Sequence, residues 1–286
     1  MSLQPETLSP IQQVFDEALG AAPARGRLRG RRILVVGAGQ RATVDEHPPI
    51  GNGCAISVLF AREGASLACV DISRDAAERT CAQIHTEGGH AFAETADVAD
   101  ADAIAPLVER CAAHMGGLDG LVMVVGVTKA LPLAKQDAPG WDHEFAVNVR
   151  SNMLFAQKSI EMMDEGASIV LMSSLAALRN SSGMPGYETS KAAQVALARS
   201  IALAGQPKGI RCNAVLPGLI DTPMGRDATR RRAARVGIPL PFGRQGTGWE
   251  VAYATLFLIS NESSYVNAHA LVVDGGLVGG IARPAR

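Results

Sequence analysis

An α/β fold, one doubly wound parallel sheet with helices on both faces, is what this sequence predicts, and three observations predict it. Seven short apolar runs rich in Val, Ile and Leu recur along the chain. Most are separated by stretches long enough for a crossover helix. Near-continuous apolar strands need burial on each face, which a parallel sheet between two helical layers provides. A glycine-bearing turn follows directly on the first run, where such a sheet opens its first helix.

The elements follow in order. Residues 9–20, SPIQQVFDEALG, place Ile11, Val14, Phe15, Ala18 and Leu19 at helical spacing, with Ser9 as N-cap, Pro10 in the first turn and Gly20 as the stop. A short amphipathic helix is expected there. Residues 21–30, AAPARGRLRG, read as a Pro/Gly/Arg tether rather than a core element, so residues 1–30 form an N-terminal extension. The strands are RILVVG (32–37), SLACVD (66–71), HAFAET (90–95), GLVMVVG (120–126), SIVLMSS (168–174), IRCNAVLPG (210–218) and ALVVDGG (270–276). Residues 31–286 then make a single Rossmann-like domain with a seven-stranded sheet and a C-terminal tail.

The bulk numbers exclude several classes. With 286 residues, 47% apolar and 27 basic against 28 acidic side chains, the chain is that of a soluble globular protein. No charge excess points to nucleic acid or a membrane surface. Five scattered cysteines without a Cys-x-x-Cys pair indicate neither a disulfide framework nor a zinc site, and fit a reducing cytoplasm. The opening residues lack the apolar core of a signal peptide, and Glu6, Asp16 and Glu17 argue against an import sequence. No run approaches a membrane span of roughly 18 apolar residues.

In a doubly wound sheet a ligand lies beyond the carboxyl ends of the strands, with a pyrophosphate at the N-terminus of the first helix. Gly37, Gly39, Gly51 and Gly53, with Asn52 between the last two, stand at that turn. The second strand ends at Asp71, eighteen residues after Gly53 and near the roughly 20-residue distance of an acid that accepts hydrogen bonds from ribose hydroxyls. A carboxylate there repels a 2′-phosphate and the following Ile72 adds no positive charge, which favours NAD over NADP. Asp71 or Ser73 can equally cap the helix that follows. Asp97 and Val98, after the third strand, suit an adenine contact or another cap.

Residues 173–191 read SSLAALRNSSGMPGYETSK. Tyr187 and Lys191 are four apart, so on a helix they share a face, and an ammonium beside a phenol lowers the phenol pKa from its ordinary value of about 10. Ser174 ends an apolar strand, where such a sheet presents reactive groups.

Together these residues resemble the short-chain dehydrogenase/reductase family from about Arg31 to Gly276. Asn148 in FAVNVRSNM matches the family's helix asparagine, LPGLIDTPM (216–224) its Pro-Gly and Thr segment, and ALVVDGG its last strand. The resemblance implies that Tyr187 exchanges a proton with the substrate oxygen, that Lys191 lowers its pKa and holds the nicotinamide ribose, and that Ser174 steadies the substrate oxygen. It implies a water held by Asn148, and a carboxamide oriented by Thr222, Ile220 and the backbone at Pro217 and Gly218. Each has a plainer alternative: Ser174 as a strand-end hydroxyl, Asn148 as a buried brace, Thr222 as a turn residue. The expected protein is an NAD-dependent enzyme acting on a small alcohol or ketone, without metal, as a homotetramer or dimer. The alternatives are an NADP-dependent carbonyl reductase and a catalytically silent dinucleotide-binding sensor or scaffold.

Two departures from the family pattern stand out. Met123-Val124-Val125-Gly126 replaces the usual Asn-Asn-Ala-Gly, which puts sheet bracing in doubt more than chemistry. Residues 38–50 separate Gly37 from Gly51, where the family typically has three residues. Asp45 and Glu46 in that insertion should point to solvent, away from a pyrophosphate, whereas Arg41 can reach the phosphates or a 2′-phosphate. A passive surface loop is the alternative to a cofactor flap. Arg226, Arg230, Arg231, Arg232 and Arg235 read as a solvated helix face in the lid segment, or as a lure for an anionic substrate. His85 and His90 read as surface residues.

Overall fold

In a computed structural model of the chain, residues 14–179, 183–232 and 237–281 are described. The order is α1 (Asp16–Leu19), β1 (Arg32–Val36), α2 (Asn52–Arg62), β2 (Ser66–Asp71), α3 (Arg74–Thr86), β3 (His90–Thr95), α4 (Ile104–Met115) and β4 (Leu118–Met123). It continues with α5 (Ala138–Phe145), α6 (Ser151–Met162), β5 (Met163–Met172), α7 (Pro185–Gly205), β6 (Arg211–Pro217), β7 (Ile220–Asp221), α8 (Pro223–Arg231), β8 (Gly246–Thr247), α9 (Gly248–Ile259) and β9 (Ala270–Val273).

All seven expected strands are present and pair in parallel in the order β3-β2-β1-β4-β5-β6-β9. Alternation along each strand sends side chains to two separate cores. Leu34, Val36, Val70, Leu121, Ile169 and Leu216 pack under α4, α6 and α7, whereas Ile33, Val35, Leu67, Val122, Val170 and Val215 pack under α2, α3 and α9. Burial on both faces is the reason the central strands read as unbroken apolar runs. The strand order reverses between β1 and β4, which sets a crevice at the carboxyl ends of those strands. The pair β7 and β8, two residues each, was not expected, because elements this short leave no periodicity to read.

The N-terminal segment differs from a tether. Leu28 is completely buried in the core beneath α2 and α9. The Glu63 carboxylate accepts from the backbone N–H of Arg25 at 3.2 Å and of Arg27 at 2.8 Å, and from Arg27 Nη2 at 2.8 Å. One leucine and one buried carboxylate anchor the whole stretch, and neither shows as periodicity. The C-terminal part of the expected 9–20 helix is seen as α1, and residues 9–13 lie outside the described residues. Ala18 is buried and its carbonyl accepts from Thr247 Oγ1 at 2.7 Å, while Arg62 Nη1 donates to Gly20 O at 2.6 Å and its guanidinium stacks over Trp249. The extension therefore docks on α9 of its own chain.

All five cysteines are buried and free. Among the described residues no helix is long and apolar enough to cross a membrane, and no cluster of His, Cys, Asp or Glu could hold a metal ion. The exposed His85 ring bonds Ala91 O at 2.8 Å.

Candidate active site

The glycine turn is intact despite its interruption. Gly37 leaves β1 with φ +87°, a conformation L side chains rarely adopt, and a Cβ there would meet the Val125 nitrogen at 2.9 Å. A Cβ on Gly53 would lie 1.8 Å from Gly37 O, so only glycine lets α2 approach the turn this closely. The Gln40 side chain, which sequence reasoning did not single out, closes the base of the insertion. Its Oε1 accepts from Gly51 N at 2.7 Å and its Nε2 donates to Pro49 O at 3.1 Å. The Gln40 side chain thus bridges the two ends of residues 41–50.

Asp71 connects this turn to β2. Its Oδ2 accepts from Gly39 N at 2.9 Å and its Oδ1 from Ser73 N at 3.1 Å. Ser73, not Asp71, caps α3, accepting from Ala76 N at 3.3 Å. Asp71 is therefore not a helix cap.

A cleft of about 550 Å³ opens along the carboxyl ends of the strands. Gly37, Gly39, Gly51, Asn52 and Gly53 border its middle, and Asp71, Ile72, Asp97 and Val98 its outer end. Asp97 also accepts from Ala99 N at 2.9 Å. Gly126, Thr222 and Met224 close the inner end, and Val124 and Val125 stand on the wall where the family carries Asn and Ala. Arg79, also unforeseen, lines the cleft and donates to Gln40 O at 3.2 Å.

The Ser/Tyr/Lys set expected from the sequence lies where β5 meets α7. Pro185 opens α7, the half-buried Tyr187 follows in its first turn and Lys191 one turn on, with Nζ 5.6 Å from the Tyr187 ring centroid. Lys191 is 3% exposed, its Nζ donates to Met172 O at 2.9 Å, and burial brings its pKa down to about 7. A Cβ on Gly126 would stand 3.1 Å from that Nζ, which ties this glycine to the lysine. Ser173 Oγ donates to Lys191 O at 2.7 Å, fastening the end of β5 to α7. Ser174 follows in extended conformation, its Oγ accepting from Ala176 N at 3.2 Å.

Asn148 sits in a π-helical turn, Ala146–Arg150, between α5 and α6. Its Oδ1 accepts from Val127 N at 2.9 Å, and its Nδ2 donates to Val127 O at 3.0 Å and to Ser190 Oγ at 2.9 Å. The side chain is completely buried, so its visible work is to brace the loop after β4 against α7. Thr222 caps α8, accepting from Gly225 N at 3.0 Å.

Of the residues expected at the cofactor, Tyr187, Lys191, Pro217, Gly218 and Ile220 do not line this cleft. Pro217 ends β6 in the sheet, Gly218 donates its N–H to Val273 O at 2.9 Å and passes so near Asp274 that a Cβ would fall 2.6 Å from that side chain, and Ile220 is buried in the core. Pairing with β9 fixes Pro217 and Gly218 at the end of β6.

The insertion also differs from expectation. Glu46 is exposed, but Asp45 is not turned to solvent: its side chain is only 18% exposed and pairs with Arg226 at 3.6 Å and Arg230 at 3.1 Å. Arg41 borders the cleft and pairs with Asp227 at 3.7 Å. Arg226 also pairs with Asp221 at 2.7 Å, so Arg226 and Arg230 of α8 are paired rather than simply solvated. Arg231 is exposed, Arg232 Nη1 lies 3.2 Å from Met184 Sδ, and Arg235 lies outside the described residues.

A dinucleotide fits these groups: Gly37, Gly39, Gly51 and Gly53 border the cleft without side chains to obstruct it, the α2 N-terminus has no side-chain cap, and the Asp71 carboxylate also borders the cleft. Residues 49–278 match a family model described as enoyl-(acyl carrier protein) reductase. The chain is 32% identical to 3-oxoacyl-[acyl-carrier-protein] reductase of Thermotoga maritima over 88% of its own length and 99% of the relative's. It is 34% identical to cyclopentanol dehydrogenase of Comamonas (88% and 98%) and 32% identical to (3R)-3-hydroxyacyl-CoA dehydrogenase of Homo sapiens (90% and 99%). A short-chain dehydrogenase/reductase structure from Burkholderia xenovorans superimposes with TM-score 0.81 at 33% identity, covering 89% of this chain and 99% of that one. One from Serratia marcescens does so with TM-score 0.78 at 31% identity, covering 88% and 99%. With the fold, the glycine turn and the Ser/Tyr/Lys set in place, the chain belongs to the short-chain dehydrogenase/reductase family of NAD(P)-using oxidoreductases.

Proposed function

We propose that this protein is an NAD(H)-dependent oxidoreductase that interconverts a secondary alcohol and a ketone. The observation that carries the reading is the buried Lys191 ammonium set beside Tyr187 on α7, against the end of β5 from which Ser174 projects. The hydride chemistry belongs to the bound nicotinamide. The chain holds and moves the proton. Tyr187 takes a proton from the substrate hydroxyl in oxidation and returns it to the carbonyl oxygen in reduction. Charge on Lys191 stabilises the Tyr187 phenolate, and that phenolate in turn keeps Lys191 protonated. The Ser174 hydroxyl donates to the substrate oxygen as negative charge develops there. Asn148 keeps Val127, and with it the Gly126 approach, in register with α7.

Asp71 supports NAD rather than NADP, since its carboxylate at the outer end of the cleft repels a 2′-phosphate. Arg41 and Arg79 are the arginines that line the cleft, and they are engaged with Asp227 and the Gln40 carbonyl. Names among the relatives, cyclopentanol dehydrogenase and (3R)-3-hydroxyacyl-CoA dehydrogenase, support a hydroxyl-bearing substrate. A cytoplasmic homo-oligomer completes the reading. Its test is a screen of alcohols at alkaline pH and ketones at neutral pH, followed by NADH absorbance. Turnover of at least one secondary alcohol is expected, and a screen without any NADH change would instead favour a silent dinucleotide-binding protein.

A further inference from the structure

Residues 41–50 leave the glycine turn and return to it through one neck, the Gln40 amide bound to Pro49 O and Gly51 N. The far side of this loop is fastened to α8, distant in sequence. Asp45 Oδ1 lies 3.1 Å from Arg230 Nη1 and Asp45 Oδ2 lies 3.6 Å from Arg226 Nη1. Arg226 Nη1 also donates to His47 O at 3.2 Å, and Arg41 reaches Asp227 at 3.7 Å. Thr43 Oγ1 donates to Asp45 Oδ2 at 2.9 Å and accepts from Asp45 N at 3.1 Å, which aims the carboxylate at α8. The Thr43 hydroxyl first, and then the two guanidinium groups, hold the Asp45 carboxyl below the usual carboxylate range. The neighbouring Val44 is 93% exposed, so the attachment is ionic rather than apolar. On its other flank α8 begins at Pro223, after its cap Thr222, and Thr222, Pro223 and Met224 all line the cleft.

We infer that the insertion is a strap that holds the lid helix α8 across the dinucleotide cleft, with Asp45 as its positioning residue. This inference rests on the cleft being the cofactor site proposed above. A dinucleotide spanning from Asp71 to Thr222 passes between the glycine turn and α8, so it leaves only when the strap parts from the lid. Single exposed ion pairs are weak, but these share one loop and open together, so their loss accelerates release by roughly three- to tenfold. Because the tie is ionic, it loosens as salt rises.

The experiment compares the full-length protein with Asp45→Ala and Asp45→Glu. In the protein without ligand, amide hydrogen exchange across residues 223–231 is expected to quicken in Asp45→Ala and to return toward the parent rate in Asp45→Glu. In stopped-flow fluorescence, NADH release is expected to be three- to tenfold faster in Asp45→Ala. Release from the parent protein is also expected to speed up between about 0.05 and 0.5 M salt, and more steeply than release from the alanine variant. Exchange in α8 within twofold of the parent removes the strap. Faster exchange with unchanged NADH release removes its hold on the cofactor. Failure of the parent protein to bind NADH overturns the dinucleotide reading instead, and the exchange measurement still judges the strap.

Discussion

Lys191 Nζ lies 5.6 Å from the centroid of the Tyr187 ring while donating to Met172 O at 2.9 Å, so one buried ammonium joins the proton-bearing phenol to the end of β5. Removing the phenol hydroxyl by Tyr187→Phe is expected to lower kcat by about 10²–10⁴-fold, the usual range for a lost general acid–base group. NADH binding by fluorescence titration should stay within about threefold of the parent. Retained turnover would take the proton from Tyr187.

Burial gives Lys191 a second, measurable consequence. Its pKa in the folded chain is about 7, against an ordinary value of 10.5 in the unfolded chain. Between those values the unfolded state binds one more proton than the folded state, so stability rises with pH across the window, with a slope of at most about 1.4 kcal/mol per pH unit from this group. Below pH 7 both states are protonated and the slope disappears. Lys191→Met should flatten the curve between pH 7 and 10 in urea titrations, and an unchanged slope would place the lysine in water.

In the proposed reading Asp71 determines cofactor choice. The parent protein is expected to bind NADH at least about tenfold more tightly than NADPH, and Asp71→Asn to narrow that gap to a few-fold by removing the charge. Parallel fluorescence titrations decide the matter. Tighter binding of NADPH by the parent protein would reverse the assignment.

Gly53→Ala tests the cradle. The new Cβ falls 1.8 Å from a backbone oxygen, Gly37 O, which has no flexible side-chain end to yield, so α2 must move off the turn. A loss of about 2–4 kcal/mol in stability and of detectable NADH binding is expected. Wild-type-like binding would show that the turn adjusts without cost.

Leu28→Ala tests whether the stretch before β1 is part of the core. Leu28 is completely buried beside Ile33 and Phe60 in the α2 and α9 layer, so truncation should cost about 2–5 kcal/mol in denaturant unfolding. A cost below about 1 kcal/mol would restore the tether.

The sheet was legible because strands covered on both faces are apolar throughout, and SLACVD, GLVMVVG and SIVLMSS each carry that signature without help from the rest of the chain. The four glycines were legible for a related reason: Gly37 and Gly53 stand where backbone meets backbone, and only one residue type fits. Leu28 was hidden because a single apolar residue among Arg, Gly and Pro has no period. Gln40 was hidden because its amide works by bridging residues 49 and 51, a contact that no spacing announces.

The sequence by itself determined the strands, the glycine cradle, the acid at the end of β2 and the Tyr/Lys pair one helical turn apart, since each depends on neighbours in the chain and on local backbone geometry. Only the tertiary structure decided that Ile220 is buried in the core, that Asn148 braces Val127 and Ser190, and that Asp45 meets Arg226 and Arg230. Charges and amides pair through space with whatever the fold brings near, and an aspartate that will be captured by an arginine 181 or 185 residues away looks, in sequence, like one that faces water.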